Sequence, residues 1–192
     1  MRSSSDLSAV AQRRLTVLSG PSGVGKGSVI AVVRRRHPDV WLSVSVTTRR
    51  PRPGDVDGVQ YDFVSQQEFD RMAASGDLLE HAAYAGSSYG TPRRPVEERL
   101  ARGVPALLEI ELQGARQVRA AMPDAQLVFL KPPSFEELAR RLSARGTEDP
   151  ERVRSRLELA EIEMAAEAEF DEVVVNDDLE AAADRLVALL RI

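Results

Sequence analysis

A glycine-rich stretch near the start of the chain has the residue types and spacing of a phosphate-binding loop. Gly20-Pro21-Ser22-Gly23-Val24-Gly25-Lys26 follows an apolar strand pattern at 15–18 and precedes a helical pattern at 29–33. Glycines let the backbone curl so that several N–H groups point inward, and the helix N-terminus adds partial positive charge. Lys26 adds a full charge that can reach the β- and γ-phosphates of a nucleotide. The alternative is a tight strand-to-helix turn with incidental glycines.

The position after Lys26 departs from the usual form of such a loop. A Ser or Thr at this place would offer its hydroxyl to Mg²⁺. The chain instead has Gly27, and Ser28 comes one residue later. We expect Mg²⁺ to be held largely through phosphate oxygens and water, with Ser28 on a phosphate and as the loop's candidate metal ligand.

A second concentration of functional groups follows the first helix. Residues 41–48 alternate apolar and hydroxyl side chains, which predicts one strand with a polar face. The next stretch, 49–55, carries three arginines and two prolines and is therefore expected to be a loop. On its own this loop could be a solvated basic linker, but it follows directly after the hydroxyl-lined strand.

Composition excludes several classes of protein. The chain has 192 residues, 43% of them hydrophobic, which suits one α/β domain with a sizeable core. A net charge of −4 argues against general nucleic-acid binding. The absence of cysteine excludes disulfides and thiolate chemistry, and two histidines do not suit a histidine-rich metal site. Residues 1–6 lack the apolar stretch of a signal peptide, and no apolar run approaches the length of a membrane span, so we expect a cytoplasmic protein.

The remaining chain alternates strand and helix patterns. Strands are predicted at 61–64, 78–84, 105–111, 127–130 and 173–175, and helices at 65–74, 94–101, 115–121, 134–144, from Pro150 onward, and up to Leu190. Residues 86–92 read as a turn-rich loop, and Gln113-Gly114 as a turn. This alternation predicts an α/β fold of three layers with a mainly parallel sheet. The strand at 105–111 ends in acid residues, an arrangement that commonly supports Mg²⁺ or its waters in phosphate-loop proteins.

Together these stretches resemble the guanylate kinase family, nucleoside monophosphate kinases with a phosphate loop (P-loop). Beyond that loop, the resemblance rests on Ser43-Val44-Ser45-Val46-Thr47-Thr48-Arg49, Arg52-Pro53-Gly54-Asp55, Tyr61-Asp62-Phe63, Glu80, Tyr89-Gly90-Thr91, Leu108-Glu109-Ile110-Glu111-Leu112-Gln113-Gly114, Arg145-Gly146-Thr147-Glu148 and Val175-Asn176-Asp177-Asp178. It covers the chain from about Arg14 to Ile192. It implies reversible transfer of the γ-phosphoryl group of ATP to GMP, with Mg²⁺ as cofactor.

The resemblance also implies how the chain is divided. Residues 1–12 would be a flexible tail and 13–192 a single domain. Within that domain, the core would comprise 13–44, 96–144 and 161–192, the GMP-binding region 45–95 and the lid 145–160. The implied partners are the small molecules ATP and GMP, with no nucleic acid and no membrane.

In the family, the GMP site has a base end and a phosphate end. The residue at Glu80 accepts the N1–H and N2 amino donors of guanine, and hydroxyls at Ser45 and Thr91 answer the rest of the base edge. Such a site rejects a mismatched base by roughly 10⁴–10⁵-fold. The phosphate is met by the residues at Arg49, Arg52, Tyr61 and Tyr89. Gly90, Glu109 and Glu111 complete the predicted GMP set, although the division of roles between the two glutamates is open. Asp55 stands where the family usually has Glu.

For ATP, the resemblance implies binding through residues 20–28, including Gly27 and Ser28, with Arg141 and Asn176 directed to the adenine. The expected catalytic residues are Lys26, Arg145 and Arg156, which neutralise charge on the transferring phosphoryl group.

Two alternatives remain open at this point. A kinase for AMP, CMP or dTMP would share the loop and lid arginines but not Ser45, Glu80 and Tyr89. A non-catalytic guanylate-kinase-like module that binds phosphopeptides would typically lack an intact loop or the lid arginines.

Overall fold

The core of the protein is a five-stranded parallel sheet that carries the glycine-rich loop at one strand end. The computed structural model describes residues 15–84, 86–143 and 150–190, with side chains from 154 onward in the last range. The strand order in the main sheet is β2 (Trp41–Leu42), β7 (Ala106–Glu109), β1 (Leu15–Ser19), β8 (Gln126–Lys131) and β9 (Glu172–Val175). All four strand pairs are parallel, so the carboxyl ends of the strands meet at one edge.

Helices cover both faces of this sheet. One face packs against α1 (Lys26–Arg36), α5 (Phe135–Ser143), α6 (Pro150–Ala165) and α7 (Leu179–Leu190). The other packs against α3 (Arg93–Ala101) and α4 (Leu112–Ala121). Adjacent strand residues alternate between the two cores: Leu18 and Leu107 face the first, whereas Val17 and Leu108 face the second. This period of two is that of a strand with both faces buried. The predicted α/β fold with a mainly parallel sheet is confirmed.

A smaller four-stranded sheet stands beside the main one. Its order is β4 (Tyr61–Phe63), β3 (Ser45–Thr47), β6 (Ser87–Pro92) and β5 (Leu78–Tyr84). β3 pairs with β4 in parallel, while β6 pairs antiparallel with both β3 and β5. Helix α2 (Gln66–Ala74) begins at Ser65, whose hydroxyl accepts the N–H of Glu68, as the capping pattern predicts. A 3₁₀ turn (Ala166–Glu169) follows α6 in the main unit.

Three predicted elements are wrong in ways that matter for function. Residues 41–48 are not one strand: β2 belongs to the main sheet and β3 to the small one, so the chain changes sheets at 43–44. Residues 86–92 do not form a loop, because β6 lies in register between β3 and β5. Gln113-Gly114 is not a turn, since α4 begins at Leu112 directly after the strand end. In each case long-range pairing or packing overrides the local preference.

No helix in the described parts of the chain has the length and apolar character needed to cross a membrane. The tail predicted at 1–12 and the first residues of the predicted lid lie outside the described residues.

Candidate active site

The glycine-rich loop joins the carboxyl end of β1 to the start of α1. Gly25 caps the helix with φ +101°, a left-handed conformation that favours glycine. A Cβ there would stand 2.7 Å from Nδ2 of Asn176, so the site also needs a residue without a side chain. The geometry places the helix N-terminus and its free N–H groups at the loop, which is the arrangement expected for phosphate binding.

Lys26 is the first residue of α1, and its ammonium is held at the loop. The residue is 8% exposed, and Nζ donates to the carbonyl of Gly20 at 2.6 Å. It also forms an ion pair with Oε2 of Glu111 at 3.2 Å. A buried ammonium needs such partners because its desolvation is costly. These contacts hold a positive charge in the cleft.

Arg141 and Asn176 meet on the outer side of the loop. The amide Nδ2 of Asn176 donates to the carbonyl of Val24 at 2.8 Å, and Arg141 Nη1 donates to the same carbonyl at 3.2 Å. Arg141 also donates to the carbonyl of Asn176 and is oriented by Glu137 at 2.8 Å. The two side chains predicted to contact adenine therefore lie together and brace the phosphate loop.

Helix α6 contacts the loop at Ser22. Nη2 of Arg156 lies 3.5 Å from the Ser22 hydroxyl, and Oε2 of Glu163 accepts the Ser22 N–H at 2.9 Å. Arg156 thus stands beside the loop, as a phosphate-neutralising arginine must. The other predicted lid arginine, Arg145, lies outside the described residues.

Two carboxylates, at the last residue of β7 and two residues after it, line the cleft. Glu109 is exposed to the cleft, but the protein around it still partly desolvates its carboxyl. This desolvation raises its pKa, while Lys26 lowers that pKa and Glu111 raises it. A Cβ on Gly27 would lie 3.8 Å from Oε1 of Glu109. The place where a Ser or Thr hydroxyl would bind Mg²⁺ therefore adjoins a carboxylate, which is a ligand type that Mg²⁺ prefers.

Glu80 is a further carboxylate in the lining of the cleft. It is 5% exposed, and burial raises the pKa of its carboxyl, although hydrogen bonds from Thr91 oppose that rise. The Thr91 hydroxyl donates to Oε1 at 2.6 Å. A register shift between Leu78 and Glu80, a β-bulge, brings Glu80 directly opposite Thr91 on β6. One carboxylate oxygen is thereby fixed by the protein.

The second oxygen of Glu80 faces the first turn of α4. A Cβ on Gly114 would lie 2.4 Å from Oε2, so any side chain larger than hydrogen would displace the carboxylate. A helix N-terminus also stabilises a nearby negative charge. Gly114 therefore makes room for Glu80.

Predicted arginine and tyrosine side chains of the small sheet lie close together. The guanidinium of Arg49 lies 5.3 Å from the ring centre of Tyr61 and pairs with Asp55 at 2.9 Å. Tyr61 and Tyr89 meet edge to face at 5.8 Å. Burial, with the nearby charge of Glu109 adding to it, raises the pKa of Tyr61 and keeps its hydroxyl a proton donor. Asp55 also accepts the N–H of Arg52, and that hydrogen bond together with Arg49 lowers the Asp55 pKa.

One cavity of about 760 Å³ joins these groups. Its lining includes Lys26 and most of the residues predicted to bind GMP: Ser45, Arg49, Arg52, Tyr61, Glu80, Tyr89, Glu109 and Glu111. Such a volume accommodates a nucleotide-sized ligand. The cavity therefore brings the cation of the phosphate loop and a buried carboxylate into one site.

Comparison with known proteins shows what this arrangement is similar to. The family model described as guanylate kinase matches residues 12–191. The chain is 66% identical to a guanylate kinase of Frankia casuarinae over 176 residues, which is 92% of this chain and 96% of that protein. It is 59% identical to a guanylate kinase of Streptomyces coelicolor over 191 residues, 100% of this chain and 97% of that protein. A crystal structure of guanylate kinase from Anaplasma phagocytophilum superposes with a TM-score of 0.76 at 36% identity, covering 93% of this chain and 85% of that one.

The chain belongs to the guanylate kinase family. The resemblance drawn from its motifs is confirmed. Guanylate kinases are ATP:GMP phosphotransferases, and the chain is an enzyme of this kind.

Not every predicted site residue of this guanylate kinase lines the cavity. Thr91 stands behind Glu80, and Gly90 is buried where a Cβ would press on Leu78 and the Glu80 carbonyl. Ser28 is exposed on α1. Arg141 and Asn176 contact the outer side of the loop.

Sequence reasoning missed three residues that the fold brings to the site. Glu163 lines the cavity and contacts the loop, Gly114 leaves room for Glu80, and Asp55 orients Arg49. Gly114 and Asp55 stand within the motifs that carry the family resemblance, but those motifs do not tell which side chain each residue adjoins. Glu163 carries no local signal, because it lies in a helix among many glutamates.

Proposed function

We propose that the cleft holds Mg²⁺–ATP at the phosphate loop and GMP against Glu80, and that it transfers the γ-phosphoryl group between them reversibly. The observation that carries this proposal is the buried carboxylate of Glu80 in the lining of the cavity that Lys26 also lines. One of its oxygens accepts the Thr91 hydroxyl, which orients the group for a ligand.

Guanine suits this carboxylate because it presents two adjacent donors, N1–H and the N2 amino group. An anionic Glu80 accepts both, and Ser45 on the same cavity wall is available to the remaining base edge. Adenine has an acceptor at N1, which would face a lone pair of the carboxylate. A buried polar group left unpaired in this way costs about 1–3 kcal/mol, and a charged group such as this carboxylate costs more. We therefore assign the base selectivity to Glu80.

The phosphate of GMP is assigned to Arg49, Arg52, Tyr61 and Tyr89. The guanidinium groups supply charge and paired donors, and the tyrosines supply neutral donors. The attacking oxygen needs no general base, because the second pKa of a phosphate monoester lies near 6 and the group is ionised at neutral pH.

The transfer brings two anions together, so neutralisation and alignment are the main tasks of the protein. Lys26 and Arg156 stand beside the loop, at the end where the γ-phosphate would lie. Arg145 is assigned to the same task from its sequence motif. Closure of a lid at 145–160 over the core would exclude water, which otherwise accepts the phosphoryl group.

The carboxylates near Gly27 fit a magnesium ion bound mainly by phosphate oxygens and water. Glu109 and Glu111 would hold its water ligands, and Ser28 remains a candidate ligand or phosphate contact. Among the described residues no group of three or more His, Cys, Asp or Glu side chains forms a protein cage for a metal. Mg²⁺ typically binds in this way in phosphoryl-transfer sites, where it neutralises phosphate charge.

The division into a core, a GMP-binding region at 45–95 and a lid, with a flexible tail at 1–12, belongs to the same proposal. So do a cytoplasmic location and a place in purine nucleotide metabolism. The proposed partners are ATP and GMP alone, without nucleic acid or membrane.

The test is ADP release from Mg²⁺–ATP with GMP, dGMP, AMP, CMP, UMP and dTMP measured in parallel. We expect strong turnover with GMP, and at most with dGMP in addition. Turnover with another base would retain the kinase and reject the role of Glu80. ATP binding without turnover on any monophosphate would instead favour a phosphopeptide-binding module.

A further inference from the structure

A buried carboxylate on α6 has no part in the mechanism above. Glu163 is 5% exposed, lines the cavity, and accepts the backbone N–H of Ser22 through Oε2 at 2.9 Å. Burying a carboxylate is costly unless it is hydrogen-bonded. The hydrogen bond from Ser22 offsets part of this cost and connects Glu163 to the phosphate loop.

The position of Glu163 on its helix links it to Arg156. The two residues are seven apart, which is about two helical turns, so their side chains leave α6 on the same face. Between them Ala160 is fully buried against the main core, which holds this part of α6 in place. Arg156 reaches the hydroxyl of Ser22 at 3.5 Å, and Glu163 holds the backbone of the same residue. Two residues of α6, about two helical turns apart, therefore both contact Ser22.

The contact between Glu163 and Ser22 does not depend on the protonation state of the carboxyl. Burial raises the pKa of Glu163, the Ser22 hydrogen bond lowers it, Glu111 raises it and Lys26 lowers it. In either protonation state one oxygen can still accept the Ser22 N–H. The contact therefore survives changes in the charge of the cleft.

We propose that Glu163 is a positioning residue that holds Ser22 against α6 and thereby sets the distance between Arg156 and the phosphate loop. The proposal rests on the role given above to Arg156. Glu163 itself does not touch the transferring group. Its oxygen fixes the loop backbone relative to the helix from which Arg156 extends.

The first experiment compares kcat and KM of Glu163→Ala, Glu163→Gln and Glu163→Asp. The Gln variant keeps the reach and an acceptor oxygen, whereas the Asp variant keeps the charge but is one methylene shorter. We expect kcat to fall about 10- to 100-fold in the Ala and Asp variants, with KM for GMP little changed. In the Gln variant kcat should stay within about threefold of the parent. Glu161→Ala, an exposed change on the same helix, is the matched control and should keep the parent kcat.

A parent-like kcat in the Asp variant, or a Gln variant as impaired as Asp, would overturn the proposal. If the Ala variant fails to fold, the Gln and Asp variants alone decide, since both retain a polar side chain of similar size. Thermal unfolding of each variant separates loss of fold from loss of kcat.

The second experiment is a double-mutant cycle with Arg156→Ala. If Glu163 acts through Arg156, adding Glu163→Asp to Arg156→Ala should lower kcat by less than about twofold. Additive losses would overturn the proposal. Near-normal turnover of Arg156→Ala alone would reject the assigned role of that arginine, an outcome distinct from failure of the Glu163 variants.

Discussion

The two proposed binding regions of the cleft would recognise their ligands by different means. The phosphate end is a contiguous main-chain loop, 20–26, closed by the N-terminus of α1. The proposed guanine end is assembled from side chains on separate elements, with Glu80 on β5, Thr91 on β6 and Gly114 on α4. Every residue except proline has a backbone N–H group, so many sequences can supply the donors of a loop. A carboxylate at one fixed point requires Asp or Glu at one position, together with supporting residues that hold it in place.

This difference predicts different sensitivities to substitution. At the phosphate end, backbone N–H groups would make most of the contacts within the loop 20–26, and Lys26 would add its only charged side chain. At the guanine end, the position of Glu80 depends on its neighbours. One oxygen of Glu80 accepts a hydrogen bond from Thr91, and the other lies close to Gly114, where a side chain would displace it. Substitutions should therefore separate general loss of catalysis from selective loss of GMP recognition.

Removal of the phosphate-end charge should have the largest effect. In Lys26→Ala, we expect kcat to fall by about 10²–10³ or more, because a preorganised donor to the transition state is lost. Steady-state kinetics with saturating GMP would measure it. The matched control is Arg94→Ala, which removes another cation, one that is exposed and pairs with Glu98 on α3. A Lys26 variant as active as this control would contradict the assignment.

Loss of the guanine acceptor should be the next largest effect and should spare ATP. Glu80→Gln presents an amide N–H₂ group toward the donors of guanine, and kcat/KM for GMP should fall about 10²-fold. ATP affinity should stay unchanged, because the Glu80 carboxylate contacts Thr91 and adjoins Gly114, neither of which belongs to the phosphate loop. Glu97→Gln, an exposed change on α3, serves as control. Equal GMP kinetics in both variants would remove Glu80 from the guanine site.

Filling the clearance beside Glu80 should have a smaller but selective effect. Gly114→Ala places a Cβ 2.4 Å from Oε2 in the present arrangement, so the carboxylate must move. We expect KM for GMP to rise about tenfold, because a displaced Glu80 carboxylate would lose part of its hydrogen bonding to guanine. Alanine is the better helix former, so a weaker α4 cannot explain the change. Thermal unfolding should show that the variant protein is no less stable than the parent. An unchanged KM for GMP would indicate that Glu80 needs no such clearance.

The pH dependence of GMP use should give the smallest effect. Burial raises the pKa of Glu80 above its ordinary value of 4.5. Its anionic form accepts the guanine donors, so kcat/KM for GMP should fall as pH drops through this raised pKa. Glu80→Gln should lose that component. The titration of the GMP phosphate, near pH 6, is common to both proteins and cancels in their ratio. A ratio that is constant with pH would contradict the prediction.

The sequence predicted the architecture of the core well and that of the small sheet less well. Strand β1, the loop and α1 are close in sequence, and their patterns are strong. Residues 86–92 were read as a loop because glycines and serines dominate them, yet β6 forms there because strands on both sides supply partners. Residues 41–48 read as one strand because alternation of side chains does not reveal a change of sheet.

The site shows the same division. Lys26 and the glycines of the loop, together with the motif residues Arg49, Tyr61, Glu80, Tyr89, Glu109 and Glu111, could be named from sequence, and all of those six line the cavity with Lys26. The supporting residues could not be placed in the same way. Asp55 beside Arg49 and Gly114 beside Glu80 act through clearances and ion pairs that only coordinates reveal.

The sequence by itself determined the family, the phosphate loop and the chemical groups needed for GMP, because these depend on residue identity and short spacing. Only the tertiary structure decided that Glu163 holds Ser22, a contact between residues 141 positions apart. It also decided which oxygen of Glu80 is fixed by Thr91 and which faces Gly114. Such contacts depend on how helices and strands pack over long separations, and local patterns of side chains carry no record of that packing.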